Sequence, residues 1–132
     1  MAKANKERGE DELVLAGKAY RLRPSHTALS TIELATGKSL IELVRAGNAG
    51  AIKLAELGVV GGELIRAGAA EDDSMARSVS DERISELILE EGLAPATSIL
   101  TLLLLSAATG GRTASGEVKA APAKKTEPAG AA

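Results

Sequence analysis

With 132 residues, 45% of them hydrophobic, the chain has material for one compact domain and too little for two. Tyr20 is the single aromatic residue, so the core must be built from Leu, Ile and Val packed closely through Ala and Gly. A net charge of −2 argues against nucleic-acid binding, which needs a basic face, and the lack of cysteine excludes both a disulfide framework and a thiolate metal site.

The chain opens with "MAKANKERGEDE", which is charged and polar and has no apolar segment of the kind a secretory signal carries. Residues 1–10 are expected to be flexible. The first ordered element is a hairpin in "ELVLAGKAYRLRP". With Gly17 and Lys18 as its turn, Leu13 pairs with Leu22 and Leu15 with Tyr20; a turn at Ala16 and Gly17 keeps the same four side chains on one face. A lone hairpin is marginal in water, so helices must pack on that face.

After Pro24 the apolar period becomes helical. Ser25 is a candidate cap, Ala28, Leu29, Ile32 and Ala35 share a face, and Gly37 supplies a left-handed stop. Ser39 and Glu42 have the spacing of a capping box and start a second, short helix ending near Ala46. In residues 51–67, Ala51, Leu54, Leu57, Gly61, Leu64 and Ile65 trace a helical face. Gly58, Gly61 and Gly62 each oppose helix by about 1 kcal/mol relative to Ala, which predicts either two helical pieces broken near Gly61 and Gly62 or an unusually close neighbouring backbone; we read two pieces.

"GAAEDDSMARSVS" reads as an exposed loop. Ser80 then caps a helix carrying Asp81 and Glu82 in its first turn, with Ile84, Leu87 and Ile88 as its apolar stripe and Gly92 as its stop. Pro95 fits the first turn of a last helix that runs to about Ala108. That helix holds Ile99, Leu100, Leu102, Leu103, Leu104 and Leu105 in nearly every direction around its axis, so it must be enclosed by its own domain or by another chain. Its apolar run of about seven residues is far short of the roughly twenty that span a bilayer. Residues 110–132, rich in Ala, Pro and Lys, are expected to be disordered.

Little here could carry chemistry. His26 is the only histidine, and "EDDS" lacks the ligand spacing and glycine of a calcium loop. Gly37-Lys38-Ser39 imitates the end of a phosphate-binding loop, but Ile32 stands where that motif needs its upstream glycine, and a helix precedes it. No nucleophile, base and orienting residue assemble, so the expectation is a non-enzymatic protein without metal or cofactor.

The order of these features is similar to that of the tail assembly chaperones of phages and gene transfer agents. The resemblance covers roughly Gly9 to Ala108. It rests on the hairpin with its glycine turn, on Ala28-Leu29, Ile32-Glu33 and Thr36-Gly37-Lys38-Ser39-Leu40, on the acidic amphipathic helix, and on Gly92-Leu93 before the last apolar helix. The glycines near Gly61 are where this chain departs from the family. The resemblance implies a cytoplasmic chaperone in the bacterial host that coats the tape measure protein, keeps it soluble while the tail tube protein assembles, and binds neither nucleic acid nor membrane.

The expected fold is therefore α+β and mostly helical: an N-terminal hairpin packed on about five helices within residues 11–109. The expected partner contact is formed by Ile84, Leu87, Ile88, Leu100, Leu103 and Leu104. The rival expectation is a self-associating helical adaptor, a homo-oligomer, or a structural component of the virion tail.

Overall fold

The computed structural model describes residues 11–119. The expected flexible segment 1–10 and the end of the expected tail, 120–132, lie outside the described residues. Strands β1 (Asp11–Leu15) and β2 (Lys18–Leu22) form an antiparallel hairpin, followed by six helices: α1 (His26–Thr36), α2 (Leu40–Asn48), α3 (Leu54–Gly68), α4 (Ser74–Ser78), α5 (Asp81–Glu91) and α6 (Leu93–Ala108). The α+β, mostly helical architecture is the expected one.

Of the two turns the sequence allows, the hairpin takes Ala16-Gly17: Leu15 faces Lys18, Leu13 faces Tyr20 and Asp11 faces Leu22. Both turn residues are left-handed, at φ 52° and 79°, the geometry that matches the right-handed twist of the flanking strands. Leu13, Leu15 and Leu22 are buried while Val14 points outward, so the facing expected from the alternation holds in the shifted register.

Helices α1 and α2 begin at their serine caps, α1 ends at a left-handed glycine, and α2 runs to Asn48, two residues past the expected end near Ala46. Ser25 Oγ accepts from Ala28 N–H, Gly37 closes α1 at φ 72°, and Ser39 and Glu42 make the reciprocal capping box at 3.1 and 2.8 Å.

Helix α3 corrects the expectation of two pieces. It is continuous through Gly58, Gly61 and Gly62 and runs through the middle of the domain, contacted by α5, α1, β2, α4 and α6. The three glycines face α5 at close range, around Asp81, Ile84 and Ser85. Their unfavourable helix propensity is offset by the packing their missing side chains permit.

The expected loop before α5 also contains an element. Asp73 Oδ1 accepts from Ala76 N–H at 3.1 Å and starts α4, which buries Ala76. Arg66 on α3 fastens the following segment, donating to Glu63 at 2.7 Å, to Asp81 at 2.8 Å and to the Val79 carbonyl. Burial alone would lower the Arg66 pKa; the carboxylates of Asp81 and Glu63 overcome this and raise it, so the cation is fixed.

Residues 110–119, assigned above to a contact-free tail, close on the domain instead. Arg112 pairs with Asp11 at 3.1 Å, Ala114 O accepts from the first amide of α1 at 2.8 Å, and Gly116 sits against Pro24 and Ser25. These contacts are polar or glycine-mediated, so hydrophobic composition gave no sign of them. The core they help seal has Leu13, Leu15, Leu22, Ile32, Leu43, Leu57, Leu64, Ile65, Ile84, Ile88, Leu100 and Leu104 fully buried.

Candidate functional site: the outer face of the last helix

The six residues expected to meet a partner are all inside the domain. Ile84, Leu87 and Ile88 on α5, and Leu100, Leu103 and Leu104 on α6, are each at most 5% exposed. The structure brings them together, but as core beneath α3, and none offers contact area to another chain while the domain is folded. The physical reason lies in α3. Its glycines let α5 settle directly onto it, and α6 then packs its Ala96, Leu100 and Leu104 side into the same interior.

Enclosure of α6 is nevertheless incomplete. Leu102 and Leu105 emerge at 66% and 37% exposure, with Ile99 half-buried at their edge. Val14, Leu34, Ile41, Met75 and Leu89 are exposed singly on other elements; among the described residues only α6 exposes two large apolar side chains. Scattered apolar side chains of this kind are normal on a surface, whereas a shared face is informative. Leu102 and Leu105 are three residues apart and project from one side of the helix.

The helix that bears them carries no charge. From Gly92 to Gly111 the chain has no Asp, Glu, Lys or Arg, while each of the other five helices contains at least one. The charges that flank this stretch are committed elsewhere: Glu91 accepts the Ala16 amide at 2.9 Å, and Arg112, with its side chain 8% exposed, pairs with Asp11 and donates to Ser106 Oγ at 3.0 Å. An exposed helix normally presents its charged side to water. This one presents leucine, serine and alanine.

The rotation of α6 is set by its crossing with α2. Gly47 lies against Thr101, so closely that a side chain at position 47 would coincide with the threonine hydroxyl. Thr101 is turned inward at 5% exposure, and Leu102, one position on, is thereby turned out. The signal for this face was present in the sequence as the charge-free run, but choosing among Leu102, Leu103, Leu104 and Leu105 required the contact at Gly47.

A second feature is an open cleft of about 620 Å³ between the hairpin and the α3–α4 junction, lined in part by Lys18, Tyr20, Arg21, Ile65, Asp73 and Ala76. Lys18 bridges it, with Nζ 3.3 Å from Asp73 and 5.0 Å from the centre of the Tyr20 ring. The Asp73 carboxyl is held below its usual range, first by the Ala76 N–H and then, against some desolvation, by Lys18. It stays ionised as a cap and ion-pair partner. No nucleophile and base meet there, and no group of three or more metal-ligating side chains occurs among the described residues. No helix among them is long and apolar enough to cross a membrane.

Comparison with protein-family models, curated proteins and solved structures finds no match to this chain.

Proposed function

We propose that the chain is a non-enzymatic tail assembly chaperone of a long-tailed phage or gene transfer agent. In this reading it acts in the cytoplasm of the bacterial host, binds the tape measure protein through apolar helix contacts, and releases it as the tail tube protein polymerises. The observation that carries the proposal is the charge-free outer face of α6, with Leu102 and Leu105 exposed at its centre. A tape measure protein is long and helical with apolar stripes, and such stripes dock by laying their anchors along a complementary apolar helix face. The order of hairpin, capped helices and last apolar helix, in which the resemblance to this family consists, supports the same reading.

The test is co-expression with a tape measure protein, with soluble yield and co-purification as readouts. Wild-type chain is expected to keep the long protein soluble in a complex holding several copies of the chaperone. A Leu102→Lys/Leu105→Lys double variant, still helical by circular dichroism, is expected to lose that effect. Undiminished solubilisation by the folded double variant would remove α6 as the contact, and failure of the wild type to bind would remove the chaperone assignment.

A further inference from the structure

We infer that the outer face of α6 pairs with the same face of a second copy, antiparallel, about a two-fold axis passing beside Leu102. This goes beyond the chaperone reading and does not depend on it.

Three observations carry the inference. The first is charge. A partner that placed a Lys or Glu against this face would desolvate it with nothing to pair it, whereas a second α6 presents an equally charge-free surface. The second is the order of side chains. In an antiparallel helix pair centred on Leu102, residues equally far before and after that position oppose one another. Three residues to either side stand Ile99 and Leu105, and four to either side stand Ser98 and Ser106. Apolar therefore meets apolar, and serine meets serine, on both halves of the contact, with Ser106 Oγ also accepting from Arg112. The isologous arrangement requires this self-complementarity, and the order of side chains along α6 has it.

The third is size. A helix of 16 residues is about 24 Å long and about 10 Å wide, so pairing along it covers well under the roughly 800 Å² per partner of a standard stable interface. The pairing is accordingly reversible and dependent on concentration. It shields Leu102 and Leu105 when the chain is abundant and opens them as it is diluted.

The absence of cysteine makes the geometry directly readable. Single Cys variants at Leu102 and at Leu34 are oxidised side by side in the full chain. Leu34, 85% exposed on α1, is the reference for random collision. Under the proposed axis Leu102→Cys closes a symmetric disulfide dimer faster than Leu34→Cys. A mixture of Ile99→Cys and Leu105→Cys chains yields mainly the mixed dimer, because only that pairing brings the two sulfurs within bonding distance. Sedimentation equilibrium of the wild type is expected to show a monomer–dimer equilibrium, weakened at least tenfold by Leu102→Lys. Equal rates at positions 34 and 102, or a wild type monomeric across the whole concentration series, would overturn the inference. If the dimer is absent while α6 still solubilises a tape measure protein, self-pairing fails and the chaperone reading stands. If Leu102→Lys breaks the dimer without affecting solubilisation, the inference holds and the contact assigned under the chaperone reading fails.

Discussion

Replacing Gly58 by Ala tests the packing that organises this domain. In a helix interior the change by itself should stabilise by about 1 kcal/mol, because Gly is the poorer helix former. In the structure, however, a Cβ at position 58 would lie 2.7 Å from the Asp81 carbonyl oxygen and 2.7 Å from Ser85 Cβ. Atoms in comfortable contact sit at about 3.5–4.0 Å, and here one of the opposing groups is main chain that no rotamer change can move. Helices α3 and α5 must therefore separate along their length, at a cost of about 1–3 kcal/mol for overpacking. The net expectation is a loss of up to about 2 kcal/mol, seen as a fall in Tm of a few to about 10 °C. Gly61→Ala is the internal control: its Cβ would meet a methyl of Ile84 at 3.1 Å, which a small shift accommodates, so that variant should match or slightly exceed the wild type. Gly62→Ala falls between, since its Cβ displaces the Asp81 carboxylate and breaks the 2.8 Å pair with Arg66. Thermal and urea unfolding of the three variants should rank them Gly61, Gly62, Gly58 from most to least stable. A Gly58→Ala protein more stable than the wild type by about 1 kcal/mol, the helix-propensity gain unopposed, would refute the close approach of α3 and α5.

Three further outcomes are expected from the same assays. Ala16 occupies the left-handed region at φ 52°, so Ala16→Asn, which creates the Asn-Gly pair favoured in this turn, should raise stability by roughly 0.5–1 kcal/mol; an unchanged or lower midpoint would count against the Ala16-Gly17 register. Glu56 is nearly buried: desolvation would raise its pKa, but the Lys38 ammonium at 2.8 Å and the Lys53 amide at 2.9 Å more than compensate and hold it below the usual carboxylate value. Its stabilising contribution is thus complete above the unfolded pKa of about 4.3 and disappears as pH falls through the lower folded value. The stability gap between wild type and Glu56→Gln should be constant near neutral pH and shrink on acidification, and a gap that does not change down to about pH 3 would contradict the ion pair. Thr101 Oγ1 is buried with no hydrogen-bond partner among the described residues, so Thr101→Val should be neutral or stabilising by about 1 kcal/mol; a clear loss would reveal a hydrogen bond at that hydroxyl.

The elements legible in the sequence are those fixed by local chemistry. Ser25, Ser39, Ser80 and Gly37 act within one turn of themselves, and reading them placed the starts of α1, α2 and α5 and the end of α1. Alternation places the hairpin and its inner face but leaves the turn open between Gly17-Lys18 and Ala16-Gly17; the structure takes the second, with Ala16 in a left-handed conformation uncommon for alanine. The continuity of α3 was not legible. A glycine that breaks a helix and a glycine that admits another helix look the same in one sequence, and only the position of α5, about twenty residues later, separates them. The loop around Arg112 was hidden for a related reason: its partner Asp11 lies 101 residues away.

The same distinction explains why Leu100, Leu103 and Leu104 lie inside the domain and Leu102 and Leu105 outside it. Hydrophobicity ranks Leu102, Leu103, Leu104 and Leu105 equally, so a rule that selects a stripe by apolar content has no basis for orienting this helix. What orients it is steric. Gly47 is the position at which α2 can approach α6, Thr101 is the side chain small enough to meet it there, and Leu100 and Leu104 follow Thr101 into the core. Leu102 and Leu105 are left outside by elimination, and an interior already filled by residues from the hairpin, α3 and α5 leaves them no room. An exposed leucine on a surface helix usually has lysines and glutamates around it that keep neighbouring proteins away. On α6 itself that barrier is absent, and Arg112, the first cation after the helix in the chain, is drawn inward by Asp11. The ion pair that seals the loop to the hairpin thus also holds the Arg112 side chain against the domain, at 8% exposure. Replacing Asp11 would therefore loosen the fixing of residues 110–119 and free the Arg112 guanidinium from its carboxylate partner.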